Sequence, residues 1–379
     1  MIYFDNSATT RPYANVLQSF QEVSQRYYGN PSSIHRFGFE AEKLLRKAHE
    51  QAASILNVEA SEVVFTSGGT EGNNMAIKGI ALAHQNKGKH IITTTIEHPS
   101  VLEACKSLEE IGFDVTYLPV DKTGIVNVDE LEAALRDDTI LVSVMHVNNE
   151  VGSIQPIEKI AKLIKHRKKT FFHVDHVQGF GKVPLTLIDS GIDLCTISGH
   201  KIHGLKGTGL LYIRNSVHLF SLFDGGAQQN NYRSGTENVA GIVSLVKAMR
   251  IINEKQKNNK NYLNELNKLM RKSLNDLPHI HFNTIENQAP HILNFSIPGY
   301  KPEVIIHALG ERDIFISTKS ACSSKKPDES AVLRAMDMST EIAKSGLRVS
   351  FSYENTHEEV ELFCRSLRKV TKQLSLVMG

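Results

Sequence analysis

The sequence predicts an α/β protein in which a large domain with a mainly parallel central sheet is joined to a smaller α+β domain. From about residue 62 to residue 214, short β-rich runs such as "EVVFT", "HIITTTI", "TILVSVMHV" and "TFFHVD" alternate with amphipathic helical patterns. This alternation is typical of parallel strands joined by helical crossovers. The runs also lack strict alternation of apolar and polar residues, as expected for strands covered on both faces.

Beyond this region, a stretch rich in Asn and Lys at residues 253–277 keeps leucines at helical spacing. It predicts one long, largely solvated helix that links two lobes. The runs "HILNFSI", "EVIIHALGER" and "LRVSFS" that follow predict the smaller lobe. We therefore expect a large domain at 13–252 and a small domain formed by 1–12 and 253–379. Whether the first dozen residues pack near the active site or against the small lobe stays open.

Composition narrows the class of protein. The 379 residues are 41% hydrophobic and 22% charged, which is typical of a globular protein, and the net charge of +2 gives no electrostatic reason to expect nucleic acid or membrane as a direct partner. The N-terminus has neither a basic leader nor an apolar core, and no apolar run approaches the roughly 18 residues of a membrane span. Four scattered cysteines form no disulfide framework, so we expect a reducing cytoplasm.

Five polar loops follow predicted strands: "TSGGTE", "TIEHP", "HVNNE", "HVDHVQ" and "SGHK". In open parallel sheets, ligands bind outside the carboxyl ends of the strands. The five loops together therefore predict one pocket at that edge of the sheet.

The first loop has the character of a phosphate site. Gly68 and Gly69 allow the backbone to approach an anion closely, and Thr70 and the free N–H groups at a helix start can bind phosphate. The spacing is not that of a P-loop. This combination favours a phosphorylated cofactor other than ATP.

Two further loops provide an amine and a carboxylate. Lys201 directly follows a strand, with Ser198 and His200 as further phosphate candidates, and a partly desolvated lysine can form a Schiff base with a carbonyl. Asp175 follows the buried-looking run "FFHV" and needs a partner there, because an isolated buried carboxylate is costly. A pyridinium nitrogen is such a partner. Phosphate, aldehyde and pyridine together indicate pyridoxal 5'-phosphate.

Metal binding is the competing chemistry. A zinc or two-metal hydrolase site could draw on His173, Asp175, His176, His200 and His203. Their spacing fits no familiar zinc signature. Strand alternation would also send His173 and Asp175 to one face and His176 to the other.

Taken in order, the motifs resemble those of the NifS/IscS-type cysteine desulfurases, which are pyridoxal-phosphate enzymes of the class V aminotransferase group. The resemblance runs from "DNSATT" and "GNPSSIH" through "SGGTE", "HVNNE", "SGHKIHG" and "RSGTEN" to "SACSS" and "LRVSFS". It implies the type I fold of pyridoxal-phosphate-dependent transferases, a homodimer and L-cysteine as substrate. His176 departs from the familiar small residue, and we expect it either to crowd the pocket wall or to point into the core.

The resemblance implies roles at the reactive end of the cofactor. Lys201 would carry the cofactor as a Schiff base and later move protons. His98 would stack on the pyridine ring and assist proton transfer. Asp175 would pair with the ring nitrogen, and Gln178 would hydrogen-bond the ring hydroxyl.

The resemblance also implies how the phosphate and the substrate are bound. The substrate carboxylate would be held by Asn149 and by Arg348, whose guanidinium suits a bidentate grip. The phosphate would be held by Gly69, Thr70, Ser198 and His200, together with Thr236 from the neighbouring subunit.

A cysteine in "FISTKSACSSKKPDES", which predicts an exposed loop, falls where this family keeps its sulfur acceptor. By the resemblance, the Cys322 thiolate would attack the sulfur of L-cysteine, because thiolate is the reactive form. L-alanine would leave, and the persulfide would pass to an iron–sulfur scaffold protein or to a protein of tRNA or thiamine thiolation. Cys105, Cys195 and Cys364 lie in apolar patterns typical of structural cysteines.

Three alternatives remain at this stage. A selenocysteine lyase would share the scaffold and most of the residues. A class V aminotransferase would not need Cys322. A non-enzymatic sulfur carrier or scaffold would need neither Lys201 nor a cofactor.

Overall fold

The computed structural model describes residues 1–285, 288–318 and 329–378. Its strands are β1 Ile2–Tyr3, β2 Val63–Thr66, β3 His90–Thr94, β4 Asp114–Leu118, β5 Thr139–Met145, β6 Phe171–Asp175, β7 Leu194–Ser198, β8 Gly209–Ile213, β9 His281–Phe282, β10 Ile292–Ser296, β11 Ile314–Phe315 and β12 Gly346–Ser350. Its α-helices are α1 Ala14–Arg26, α2 Arg36–Leu56, α3 Gly69–His84, α4 Pro99–Glu109, α5 Val128–Ala134, α6 Ile157–Ile164, α7 Val239–Asn258, α8 Tyr262–Leu274, α9 Pro302–Gly310, α10 Ala331–Ala335, α11 Thr340–Lys344 and α12 His357–Met378.

A seven-stranded sheet in the order β2-β8-β7-β6-β5-β3-β4 forms the centre of the fold. The strands from β7 to β4 are mutually parallel, and β8 runs antiparallel to both β2 and β7. All residues of β5 are buried, as are those of β7, because helices cover both faces of the sheet. The predicted mainly parallel α/β architecture is confirmed.

The register of the sheet brings the polar strand ends together. Asp175, the last residue of β6, lies beside Met145 of β5 and beside Thr196 of β7. Ser198 ends β7 two residues further on. The three neighbouring carboxyl ends therefore open onto a single edge of the sheet.

A second, separate set of strands belongs to the C-terminal part of the chain. The strands β12, β10 and β9 form an antiparallel sheet, and β1 pairs in parallel with β11. Phe4 packs edge-on against Phe351 and Phe363, with ring centroids 5.4 and 5.7 Å apart, in an apolar cluster shared with β10, β12 and α12. The start of the chain therefore packs with the C-terminal part.

The predicted single helix at 253–277 is wrong. The chain forms two helices there, because α7 ends at Asn258 and α8 begins at Tyr262. The Asn259 side chain donates to the carbonyl of Lys255 at 3.0 Å, a local bond by which asparagine competes with helix continuation. Nor is the second helix largely solvated. One face of it buries four apolar residues, Leu263, Leu266, Met270 and Leu274.

The cysteines predicted to be structural are free and buried: Cys105, Cys195 and Cys364. Within the described ranges, each helix is either too short or too polar to cross a lipid bilayer.

Candidate active site

A cavity of about 300 Å³ lies at the carboxyl edge of the central sheet. Ten of the twelve residues that the sequence singled out line it: Gly69, Thr70, His98, Asn149, Asp175, Gln178, Ser198, His200, Lys201 and Arg348. Thr236 is not among the lining residues and is exposed, and its expected role in a partner's pocket stays a prediction. Cys322 lies outside the described residues.

Asp175 is a buried carboxylate fixed by neutral donors. Its Oδ2 accepts from Nδ2 of Asn73 at 2.8 Å, and its Oδ1 accepts from the backbone N–H of Val177 at 3.0 Å. Its side chain is turned to the cavity, and no ion pair joins it to a cation within the described part of the chain. A buried carboxylate in this setting provides a strong partner for a cationic ligand group.

Lys201 lies in a one-turn 3₁₀ helix, Gly199–Lys201, that directly follows β7. Its Nζ donates to the carbonyls of Ser7 at 2.5 Å and Ala8 at 2.8 Å. The N–H of Thr10, three residues after Ser7, donates to the carbonyl of His200 at 2.8 Å. Ser7 and Ala8 therefore line the cavity. The first dozen residues pack in both of the expected places, since Ile2 and Phe4 belong to the C-terminal cluster.

His98 caps the N-terminus of α4 and connects to Asp175 through two side chains. Its Nδ1 accepts from Ser100 N at 3.1 Å and lies 2.8 Å from Ser100 Oγ, which in turn lies 2.9 Å from Nδ2 of Asn73. Because Nδ1 acts as the acceptor, the proton of the neutral ring belongs on Nε2. Burial lowers the pKa of His98, and the charge of Lys201 lowers it further, while Asp175 opposes both.

The start of α3 forms a cradle at the other end of the cavity. The helix begins at Gly69 after Gly68, whose φ of 155° favours glycine. A β-carbon added to Gly69 would come within 3.0 Å of Val177 Cγ2 and 3.6 Å of Ser198 Cβ, so that it would fill this space. Burial lowers the pKa of the neighbouring His200 to about 4, which leaves its ring neutral. Backbone N–H groups at a helix start and neutral polar side chains suit a phosphate.

Arg348, on β12, is almost fully buried at the opposite wall. Its Nη1 donates to the Asn149 carbonyl at 2.8 Å and its Nη2 donates to Asp5 Oδ1 at 2.9 Å, whereas its buried Nε has no partner in the described structure. Burial raises the pKa of Asp5 and the nearby guanidinium opposes that shift. The guanidinium thus reaches the cavity already paired with an acid of the N-terminal segment.

The cavity fits the cofactor that the sequence predicts. Four buried oxygen atoms of its lining residues have no hydrogen-bond partner within the described residues: Ser7 Oγ, Asn73 Oδ1, Gln178 Oε1 and Ser198 Oγ. The amide of Gln178 is nevertheless held in place, because its Nε2 donates to the Ser7 carbonyl at 3.0 Å. Unsatisfied buried oxygen atoms are rare and call for a ligand or water. With the cation-free Asp175, the Lys201 amine and the cradle at Gly69, they match the hydroxyl, phosphate, ring nitrogen and aldehyde of pyridoxal phosphate.

Sequence reasoning missed several residues of this site. Asn73 and Ser100 link Asp175 to His98, and Ser7 and Ala8 bind the Lys201 amine. Asn73 lies four residues after Gly69, on the same face of α3, and that spacing was the signal available for it.

The alternative of a metal site gains no support. His173 lies between Ser143 Oγ at 2.8 Å and Thr196 Oγ1 at 3.0 Å, while His176 Nδ1 lies 2.9 Å from His146 Nδ1. In the ranges that the structure covers, no three His, Cys, Asp or Glu side chains are arranged to bind a metal ion. His176 packs against Phe180 and points into the core, so it does not crowd the pocket wall.

The segments that flank Cys322 are tied to the substrate side of the cavity. Ser317 exchanges backbone hydrogen bonds with Arg348, at 3.1 and 2.7 Å. Ser330 Oγ donates to Glu150 Oε2 at 2.6 Å, next to Asn149. Both flanks therefore meet residues adjacent to, or part of, the predicted carboxylate site.

Comparison with known proteins gives concordant results. The family model described as "Aminotransferase class-V" matches residues 2–363. The chain is similar to the "NifS/IcsS protein homolog" of Lactobacillus delbrueckii subsp. bulgaricus, at 44% identity over 100% of this chain and 99% of that protein. It is also similar to the "Cysteine desulfurase IscS" of Dictyoglomus turgidum, at 40% identity over 99% and 96% of the two chains. A solved structure titled "NIFS-LIKE PROTEIN" superposes with a TM-score of 0.93 at 39% identity, covering 98% of this chain and 99% of that one. The chain therefore belongs to the class V aminotransferase family and, within it, to the NifS/IscS-type cysteine desulfurases.

Proposed function

We propose that this protein is a pyridoxal-phosphate-dependent cysteine desulfurase that transfers the sulfur of L-cysteine to Cys322 and releases L-alanine. The observation that carries this proposal is the meeting, in one cavity of about 300 Å³, of the Lys201 amine, the cation-free Asp175 and the Arg348 guanidinium. The relative named as a cysteine desulfurase supports the same activity. Pyridoxal phosphate is the cofactor of this family.

In this proposal, different residues of the cavity bind different chemical groups of the cofactor. Asp175 would pair with the ring nitrogen, Gln178 Oε1 would accept from the ring hydroxyl, and His98 would stack on the ring. Lys201 would bind the aldehyde carbon. The phosphate would be bound by Gly69, Thr70, Ser198 and His200 and by the partner subunit's Thr236. When bound, the cofactor supplies an electron sink for the α-carbon of the substrate.

The chain's own groups then position the substrate and move its protons. Arg348 and Asn149 bind the carboxylate, as a guanidinium fork is suited to do. Lys201 Nζ would be free to take the proton from the α-carbon once the substrate amine has displaced it from the aldehyde carbon. His98 assists with its Nε2 proton, because its Nδ1 is held as an acceptor by Ser100.

Sulfur transfer is assigned to Cys322. Its thiolate attacks the sulfur of L-cysteine, an S–S bond forms, and the Cβ–S bond of the substrate breaks. The electron pair of that bond would be protonated at Cβ, and Lys201 Nζ would return a proton to the α-carbon, which gives L-alanine and a persulfide. The bonds of Ser317 to Arg348 and of Ser330 to Glu150 support this role, because they hold both flanking segments beside the carboxylate site.

The same proposal covers the setting of the reaction. The persulfide passes to an iron–sulfur scaffold protein or to a protein of tRNA or thiamine thiolation, and the enzyme acts as a homodimer in the cytoplasm. Residues 13–252 form the cofactor domain, and 1–12 with 253–379 form the small domain. A continuous apolar cluster made of Ile2, Phe4 and residues between 263 and 370 supports this division.

The test is mass spectrometry of the purified protein after incubation with L-cysteine. We expect one added sulfur on the peptide that contains Cys322, and stoichiometric L-alanine. Cys322→Ser should abolish both, whereas Cys364→Ser, which changes a buried cysteine in α12, should leave both intact. Undiminished L-alanine release by Cys322→Ser would contradict the proposal, as would an apoprotein that binds no pyridoxal phosphate.

A further inference from the structure

Lys182 is a buried amine in the layer beneath the cavity. It is 6% exposed, and its Nζ donates to the backbone carbonyl of Lys201 at 2.9 Å. No carboxylate forms an ion pair with it in the portion of the chain described here. It lies at the end of the turn that follows β6, and it does not line the cavity.

The groups that interact electrostatically with Lys182 are bases from three segments: His176 from its own loop, His200, Lys201 and His203 from the segment after β7, and His291 directly before β10. The hydroxyl of Tyr353 donates to the neighbouring Gly181 carbonyl at 3.3 Å, and burial raises the pKa of Tyr353 to about 12. Burial lowers the pKa of every histidine in this set, to about 4 for His200 and His203, so that the rings are neutral near pH 7. Burial, and next the charge of Lys201, lower the pKa of Lys182 to about 7.

Burying an amine with no carboxylate partner opposes folding, since desolvation is not offset by an opposite charge. A buried lysine with a perturbed pKa beside a cavity is a candidate for a functional role. Among the described residues, its side chain makes a hydrogen bond to the backbone carbonyl of Lys201, in the turn that follows β7.

This contact joins two segments that the sheet no longer pairs. The strands β6 and β7 are in register up to Asp175 and Thr196, and His176 N still donates to the Thr196 carbonyl at 3.0 Å. Beyond that point, the segment after β6 turns through residues 177–182, which include Gln178. The segment after β7 enters the turn that contains Lys201. The Lys182 side chain reaches back across the gap between them.

We propose that Lys182 is a positioning residue for Lys201, and that it fixes the turn of the cofactor lysine against the loop that carries Gln178. The distance between Gln178, which would bind the ring hydroxyl, and Lys201, which would bind the aldehyde, is thereby kept constant. This inference rests on the proposed function, because it takes Lys201 as the residue that binds pyridoxal phosphate.

The test uses the dimer as purified, stripped of cofactor and titrated with pyridoxal phosphate, with the variants Lys182→Met, Lys182→Gln and Lys182→Arg. Lys182→Met removes the donor with little change in length. We expect about 10-fold weaker cofactor binding, as for the loss of one hydrogen bond to a buried carbonyl. We also expect slower borohydride trapping on Lys201 and a shifted pH titration of the visible absorption band. The glutamine of Lys182→Gln is too short to reach the Lys201 carbonyl, so this variant should behave like Lys182→Met. Lys182→Arg should restore part of the cofactor affinity.

The matched control is Lys162→Met, which changes an exposed lysine in α6 and should alter none of these readouts. Lower thermal stability of Lys182→Met and Lys182→Gln with unchanged cofactor affinity, trapping rate and band titration would overturn the proposal, because Lys182 would then be merely structural. Lys201→Ala separates the two hypotheses. If that variant still becomes covalently labelled by borohydride reduction, the proposed function fails, whatever the Lys182 variants show.

Discussion

Asp175 and Arg348 are the two buried charges of the cavity, and they differ in how they are neutralised. Asp175 is bound by the Asn73 amide and the Val177 N–H, and no cation is paired with it in the described residues. Arg348 is already paired with Asp5 at 2.9 Å and also binds the Asn149 carbonyl. Within the described residues the carboxylate has no counter-ion, so that a ligand can supply one, whereas the guanidinium would share its charge between Asp5 and a ligand. We infer that the first site holds a resident group and the second a group that comes and goes.

The largest expected effect comes from Asp175→Asn. The amide keeps the shape of the carboxylate but removes the charge that, in the proposed function, pairs with the ring nitrogen. We expect kcat/KM for L-cysteine to fall at least about 100-fold, or about 2.7 kcal/mol of transition-state stabilisation, with a changed absorption band. Steady-state kinetics and the visible spectrum measure it.

The control for that variant is Asp193→Asn, which removes a carboxylate paired with Arg214 away from the cavity. It should lower the melting temperature and leave kcat near that of the unmodified enzyme. If Asp175→Asn kept its activity and its spectrum, Asp175 would not be the partner of the cofactor.

An intermediate effect is expected for Arg348→Lys. One ammonium group cannot serve Asp5, the Asn149 carbonyl and a substrate carboxylate together, because it lacks the planar fork of arginine. We expect KM for L-cysteine to rise about 10- to 100-fold while kcat changes less. Arg214→Lys provides the matched control. A fall in kcat at constant KM would instead place Arg348 in the chemical step.

The smallest effect on the reaction is expected for Glu97, whose role concerns stability. It is a second buried carboxyl group without a cationic partner in the described chain. It accepts from Thr94 Oγ1 at 2.8 Å and Met145 N at 2.9 Å, and burial raises its pKa from 4.5 to about 8. Because the folded state binds this proton more tightly than the unfolded state, the group makes stability fall as the pH rises from about 5 to about 8, by up to about 1.4 kcal/mol per pH unit.

Glu97→Gln should remove that slope. Urea unfolding at several pH values in this window measures it, and the variant should gain most relative to the parent at the alkaline end. An unchanged slope would mean that Glu97 is ionised in the folded protein at neutral pH.

The sequence predicted those residues of the site that directly follow apolar strands. Asp175 and Lys201 were found because a charge after a buried run is conspicuous. The hydrogen-bonded link from Asp175 through Asn73 and Ser100 to His98 was not predicted, because it depends on how α3 packs against the start of α4. The pairing of Arg348 with Asp5 joins residues 343 positions apart, beyond the reach of any local pattern. The break between α7 and α8 was missed because the spacing of leucines predicts a helix but does not show that Asn259 ends it.

The attachment of the N-terminal segment also bears on when the enzyme becomes competent during its biosynthesis. Asn6 donates to the carbonyl of Ser350, 344 residues further along, and Ser7 N donates to the hydroxyl of the same serine at 2.8 Å. Contacts of such long range form late, because chain entropy opposes them until the intervening structure is in place. We therefore expect the carbonyls that hold the Lys201 amine to reach their positions only after the ribosome has made β12.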